Sequence, residues 1–216
     1  TTLTSWTLAV GLRDDDNAET FITWVNLTNE PGEVTIEFFF EDRDSTETVN
    51  VRTLGAYRRG GVNVEGIGTS VLPEGAFSAR VTSTVPIVAS MTTFRLGTSE
   101  TAQAGAVLSV GTPGGTGPRV ALADIRRLTD GGGEIVVTNL GAEEAAVRFD
   151  FIDSSGNERT SIFNRIDAGR VERFALNALP GTSLVAERPY SVIISTQDGG
   201  PDIAAVQQYD RKHALS

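Results

Sequence analysis

The sequence predicts an all-β chain: two tandem seven-stranded antiparallel β-sandwiches, immunoglobulin-like or jelly-roll-like, related by internal duplication. Three observations carry this reading. Matching residue patterns recur about 113 positions apart, apolar residues alternate with polar ones at period two, and turn-forming residues break the alternation every roughly 8–12 residues.

The repeat comes first, because it sets the organisation. Asn26-Leu27 recurs as Asn139-Leu140 and Phe77-Ser78 as Tyr190-Ser191, both at a spacing of 113. The apolar run from Phe21 to Val25 answers Ile135 to Val137, and Glu33 to Asp42 answers Ala145 to Asp153. Pro86-Ile87-Val88-Ala89 lines up with Pro201-Asp202-Ile203-Ala204, and Phe94 falls opposite Tyr209. These ordered correspondences give one sandwich over 1–96 and a second over 118–216. Between them, 97–117 is rich in Gly, Ser, Thr and Ala and reads as a linker.

In the first copy the predicted strands lie near 5–12, 19–27, 33–41, 46–53, 60–66, 76–84 and 86–95. The third is the clearest: Val34, Ile36, Phe38 and Phe40 alternate with Thr35, Glu37, Phe39 and Glu41, the period of a half-buried strand. In the second copy the strands lie near 118–126, 133–140, 145–153, 158–166, 170–178, 189–196 and 201–210, with Val147, Phe149 and Phe151 as the matching inward set. Phe39 and Ile152 interrupt the polar face at equivalent places and predict an apolar patch on its outside. Asn29-Glu30-Pro31-Gly32, Leu72-Pro73-Glu74-Gly75, Asp153-Ser154-Ser155-Gly156-Asn157 and Asp198-Gly199-Gly200-Pro201 supply turns. No segment holds a helical apolar stripe for three turns.

Composition narrows the function. A length of 216 residues suits two domains of about 100 each. The 28 acidic residues exceed the 18 basic ones, a net charge of −10 that disfavours nucleic acid as a partner. Cysteine is absent, which removes thiol catalysis, iron–sulfur clusters and Cys-type zinc sites. No run approaches the ~18–20 apolar residues of a membrane-spanning helix. The chain opens Thr1-Thr2-Leu3-Thr4 without Met, the expectation for a processed mature form.

Few residues are candidates for chemistry. His213 is the sole histidine and cannot build a triad or a multi-His metal site. Asp14, Asp15 and Asp16 in a predicted loop are the candidate metal ligands, and calcium is the cation such oxygens would suit. The spaced calcium-loop pattern is missing, however, and no other cofactor is expected. Glu41, Asp42 and Asp44 form another acidic group. The stretch Gly111 to Gly117 lacks the Lys-Ser/Thr of a phosphate-binding loop. Asn26-Leu27-Thr28 is a formal glycosylation sequon, although Asn26, like Asn139, sits where a side chain closes a turn by bonding nearby backbone. Ala106-Val107-Leu108-Ser109-Val110 is the candidate assembly segment, an extra strand without counterpart in the second copy. It would either pack on its own domain or at the domain junction, or pair with a bare sheet edge of another chain.

Ser5-Trp6-Thr7-Leu8-Ala9 and the run Phe77-Ser78-Ala79-Arg80-Val81-Thr82-Ser83-Thr84-Val85-Pro86-Ile87-Val88-Ala89 resemble the opening and closing strands of β-sandwich repeats in bacterial secreted and cell-surface proteins. The stretch Phe38 to Gly61, with Phe40-Glu41-Asp42-Arg43-Asp44 and Arg58-Arg59, resembles the sensory rhodopsin transducer family. That resemblance implies a small cytoplasmic sandwich that oligomerises and binds partner proteins. The second copy departs from both patterns, with Val120 in place of the Trp and a longer final turn at Asp198-Gly199-Gly200. Both resemblances imply a binding or structural module.

The expectation is a non-enzymatic structural protein, extracellular or at the cell surface, that self-associates through strand edges, as in a filament or sheath. The alternative is an adhesion or recognition module that binds a carbohydrate or protein ligand.

Overall fold

The computed structural model describes residues 3–14, 16, 18–43, 46–95, 105–110, 112–113, 117–129, 133–179, 184–197 and 200–209. Every regular element among them is a β-strand, and every strand pair is antiparallel. The chain divides into two compact units, Thr1–Gly115 and Thr116–Ser216.

In the first unit the strands are β1 (Ser5–Arg13), β2 (Ala18–Asn26), β3 (Gly32–Phe40), β4 (Glu47–Leu54), β5 (Arg59–Asn63), β6 (Gly75–Ser83), β7 (Ile87–Arg95), β8 (Gly105–Val110) and β9 (Thr112–Pro113). They form one sheet in the order β4-β3-β6-β1-β9 and another in the order β5-β2-β7-β8. The pairs β1·β6, β2·β5 and β3·β4 nest inside one another and alternate between the sheets. That is the winding of a jelly roll. In an immunoglobulin domain the first two strands share a sheet, whereas here β1 and β2 lie in different ones.

The alternating apolar residues face each other across this sandwich. Trp6, Leu8, Ile36, Phe38, Phe77 and Val81 from one sheet pack on Ile22, Trp24, Ile87 and Met91 from the other. The Trp6 indole Nε1 donates to Ile87 O at 2.7 Å, tying the sheets together where the ring is buried. Phe38 and Phe77 meet edge to face, with centroids 5.4 Å apart. Gly11 follows a bulge between Leu8 and Gly11, and a Cβ there would lie 2.4 Å from Phe77 Cζ, so only glycine lets that ring seat.

The second unit comprises β10 (Arg119–Arg126), β11 (Gly133–Asn139), β12 (Ala145–Asp153), β13 (Glu158–Ile166), β14 (Val171–Ala175), β15 (Pro189–Thr196) and β16 (Ile203–Tyr209). Its sheets run β10-β15-β12-β13 and β14-β11-β16, the same order as β1-β6-β3-β4 and β5-β2-β7. A bulge recurs between Leu122 and Ile125 of β10. Phe149 and Phe174 close the core edge to face at 4.8 Å.

Within 97–117, read as a linker with an extra strand at 106–110, β8 (Gly105–Val110) pairs with β7 of the same unit, and β9 pairs with β1. One expectation changes. The apolar patch expected outside at Phe39 is not exposed: the ring retains 1% of its surface, and the Arg80 guanidinium lies 5.4 Å over it.

Candidate functional site

The connection from β4 to β5 is shaped by one buried amide. Asn26 ends β2 with 1% of its surface exposed. Its Nδ2 donates to Glu30 O at 2.7 Å and Gly55 O at 3.0 Å. Its Oδ1 accepts from Thr28 N and Thr28 Oγ1, both at 2.8 Å. Both amide hydrogens are engaged inside the fold, so the sequon Asn26-Leu27-Thr28 offers no amide for a glycan. Two non-glycine residues here are in the left-handed region, Thr53 near the end of β4 at φ 47° and Tyr57 in the loop at φ 51°. Such conformations persist only where surrounding bonds over-determine them. Here Tyr57 N donates to Thr28 O at 2.9 Å and Arg58 N to Gly55 O at 3.2 Å.

The loop delivers Arg58 and Arg59 to the start of β5, followed by Gly60 and Gly61. Trp24 pairs with Gly60 across β2 and β5, and a Cβ at Gly60 would lie 2.5 Å from Trp24 Nε1. The missing side chain lets the indole reach the open margin between the sheets. A cleft of about 350 Å³ opens there, with Val34 and Leu54 as apolar walls, Trp24 at its base, and Arg58 and Arg59 at its mouth. Trp24 is 3% exposed. Unlike Trp6, its indole N–H has no hydrogen-bond acceptor among the described residues. Arg58 and Arg59 are exposed and form no ion pair among the described residues.

The opposite side of β5 belongs to the outer face of the β5-β2-β7 sheet. Phe21 and Phe94 stand edge to face there, 6.0 Å apart, beside a shallow hollow of about 510 Å³ floored by Thr23, Gly61 and Thr92. Further along the same face Val25 lies directly opposite Val88. Val25, Leu27, Val88 and Phe94 are 41%, 44%, 37% and 42% exposed, and Tyr57 at the end of the sheet is 68% exposed.

Of the residues singled out from sequence, Asp14 and Asp16 lie in the β1–β2 turn, where Asp14 O accepts from Ala18 N at 2.8 Å; Asp15 lies outside the described residues. Among the described residues no group of three or more His, Cys, Asp or Glu side chains gathers as a metal site. Glu41 and Asp42 are exposed, while Asp44 and His213 lie outside the described residues. Ala106, Val107, Leu108, Ser109 and Val110 lie in β8, hydrogen-bonded to β7, with Thr93 opposite Val107 and Ser90 opposite Val110. The Trp24 cleft was not anticipated from sequence. A Gly-Gly pair inside a strand, preceded by Arg-Arg, was the available signal, since strand glycines mark close approach of a ligand or another backbone.

No family model matches the chain, and no curated protein matches it. Among solved structures, the Thermotoga maritima 1070 protein is similar over 52% of this chain and 95% of its own, at 16% identity and a TM-score of 0.43. The Anabaena sensory rhodopsin transducer is similar over 44% of this chain and 86% of its own, at 15% identity and a TM-score of 0.36. The PBSX exported protein XepA is similar over 97% of this chain and 82% of its own, at 11% identity and a TM-score of 0.26. Likenesses at these scores transfer neither activity nor partner.

Proposed function

We propose that the chain is a non-enzymatic structural protein of the cell exterior whose copies associate through the outer face of the β5-β2-β7 sheet. The observation that carries this reading is the gathering of Val25, Leu27, Val88 and Phe94 in water on that one face. Single exposed apolar residues are ordinary; here Val25 and Val88 sit together near one end of the face and Phe94 stands beside Phe21 towards the other, so the face carries apolar side chains at both ends. The face is nearly uncharged along its middle, where Thr23 Oγ1 and Ser90 Oγ bond each other at 3.0 Å and leave little to desolvate. A second copy presenting the same face would bury both sets in an isologous contact. Placement outside the cell is part of the proposal. It is supported by the likeness of Phe77 to Ala89 to strands of secreted repeats.

Sedimentation velocity on the full chain over a wide concentration range tests the reading, with the double variant Val25→Glu, Val88→Glu as the comparison. Larger species that grow with concentration are expected for the parent chain and absent from the variant, with thermal melting nearly unchanged. A parent chain that stays monomeric at its solubility limit rejects the proposal.

A further inference from the structure

We propose that the cleft at the β5 margin of the first unit binds a small organic carboxylate, one anionic group on a compact apolar body. The cleft meets the hollow of the outer face along Arg59, Gly60 and Gly61, and the inference does not rest on self-association.

The donor set selects the ligand. The Trp24 ring is almost wholly buried, but its indole N–H is open to the cleft and has no acceptor among the described residues. A donor that faces a cleft without a protein partner is available to an acceptor on a bound molecule. Arg58 and Arg59 at the mouth are unpaired among the described residues, in a chain whose net charge is −10. Indole and guanidinium groups donate and never accept, so the site calls for an acceptor-rich anion, and the planar guanidinium fork matches a carboxylate. Val34 and Leu54 also line the cleft, so an organic body finds some apolar contact beside the donors.

The second unit shows that the fold does not need this cleft. At the equivalent pairing Val137 stands opposite Glu172, where the first unit has Trp24 opposite Gly60, and Arg173 follows where the first unit has Gly61. Relative to the second unit, the first has a glycine opposite an indole at this pairing, and the missing Gly60 side chain leaves room for the indole at the cleft.

The chain holds two tryptophans, so the amide spectrum of ¹⁵N-labelled full-length protein contains two indole N–H signals, assigned with Trp24→Phe. Acetate, benzoate and phenylacetate are titrated to about 50 mM at constant ionic strength, a range suited to ligands of so few atoms. Benzamide serves as the neutral isostere and inorganic phosphate as the hydrated anion. At least one carboxylate should move the Trp24 signal saturably while Trp6 stays fixed. Benzamide and phosphate should bind about tenfold more weakly or worse, and Arg58→Gln with Arg59→Gln should weaken the carboxylate by about tenfold. The unmoved Trp6 signal reports that the variants remain folded. No response to any carboxylate, an equal response to benzamide or phosphate, or indifference to the Arg substitutions would overturn the assignment.

Discussion

Asn26 ends β2 in the first unit and Asn139 ends β11 in the second, and the two side chains hold equivalent pieces of chain. Asn139 Nδ2 donates to Glu143 O at 2.7 Å, Ile166 O at 3.0 Å and Asp167 O at 3.1 Å, and its Oδ1 accepts from Gly141 N at 3.0 Å. The flanking backbone bonds match as well: Asn26 N to Arg58 O and Leu27 N to Pro86 O, against Asn139 N to Arg170 O and Leu140 N to Asp202 O. A few residues away the units diverge, with Arg59-Gly60-Gly61 of β5 against Val171-Glu172-Arg173 of β14. The difference separates two kinds of constraint. The crossing of three connections at the sandwich end needs a short amide with donors and an acceptor, and both units meet that need with Asn. The edge strand is not so constrained, and there the first unit carries its cleft.

The largest effect should come from breaking the shared clamp. Asn26→Ala and Asn139→Ala each strand buried carbonyls, and each should destabilise its own unit by about 3 kcal/mol. Urea unfolding followed by tryptophan emission reads the first unit alone, because Trp6 and Trp24 both lie there, while circular dichroism reads both units. A large loss for Asn26→Ala with none for Asn139→Ala would break the equivalence.

A smaller, graded difference is expected at the arginines at the end of the first strand of each unit, Arg13 closing β1 and Arg127 just past β10. Arg13 is 2% exposed and donates to the carbonyls of Glu65, Ile67 and Leu72, holding the β5–β6 connection. Arg127 donates to Leu184 O at 3.0 Å and Asn177 Oδ1 at 3.1 Å from a more open position. Arg13→Leu should cost about 2 kcal/mol and Arg127→Leu about 1 kcal/mol, since fewer buried acceptors are orphaned in the second case. Equal midpoints in urea would show that the carbonyls near Arg13 find water instead.

Importing the second unit's residues sharpens the contrast at β5. Gly60→Glu meets Trp24 Nε1 directly, so carboxylate binding should disappear, with a stability loss of about 1 kcal/mol from displacing the indole. Indole N–H shifts and thermal melts read the two consequences separately. Retained binding in this variant would mean that the cleft is not the site.

Much of this comparison was legible in the sequence. The strand Ala145–Asp153 coincides with its predicted span because Val147, Phe149 and Phe151 alternate without interruption. The strand predicted over 60–66 stops at Asn63 instead, where Gly66 N turns back to Asn63 O, and the one predicted over 170–178 stops at Ala175, where Ala178 N bonds Ala175 O. Such local turns outweigh a residual apolar pattern. Strand order was not legible, because β1·β6 pairing joins residues about 70 positions apart and leaves no periodic trace. The cleft was hidden for the same reason. Gly60-Gly61 is visible as a pair, but nothing local says that Trp24 lies opposite. Phe39 was misjudged because its cover, Arg80, comes from a neighbouring strand.

The smallest effect concerns that cover. Arg80 pairs with Glu37 across β3 and β6 and lies over Phe39, which is almost wholly buried. Arg148 pairs with Asp150 two residues along its own strand and lies 5.6 Å over Phe163, which is 70% exposed. Both ion pairs are partly solvated, so a double-mutant cycle should give a coupling of about 0.5 kcal/mol for Glu37–Arg80 and less for Arg148–Asp150. The single substitution Arg80→Ala should nevertheless cost about 1 kcal/mol, twice the cycle's coupling, because it also uncovers an aromatic ring. Arg148→Ala uncovers a ring already in water and should stay within about 0.5 kcal/mol. If Arg80→Ala costs no more than the coupling energy, the guanidinium is not what shields Phe39.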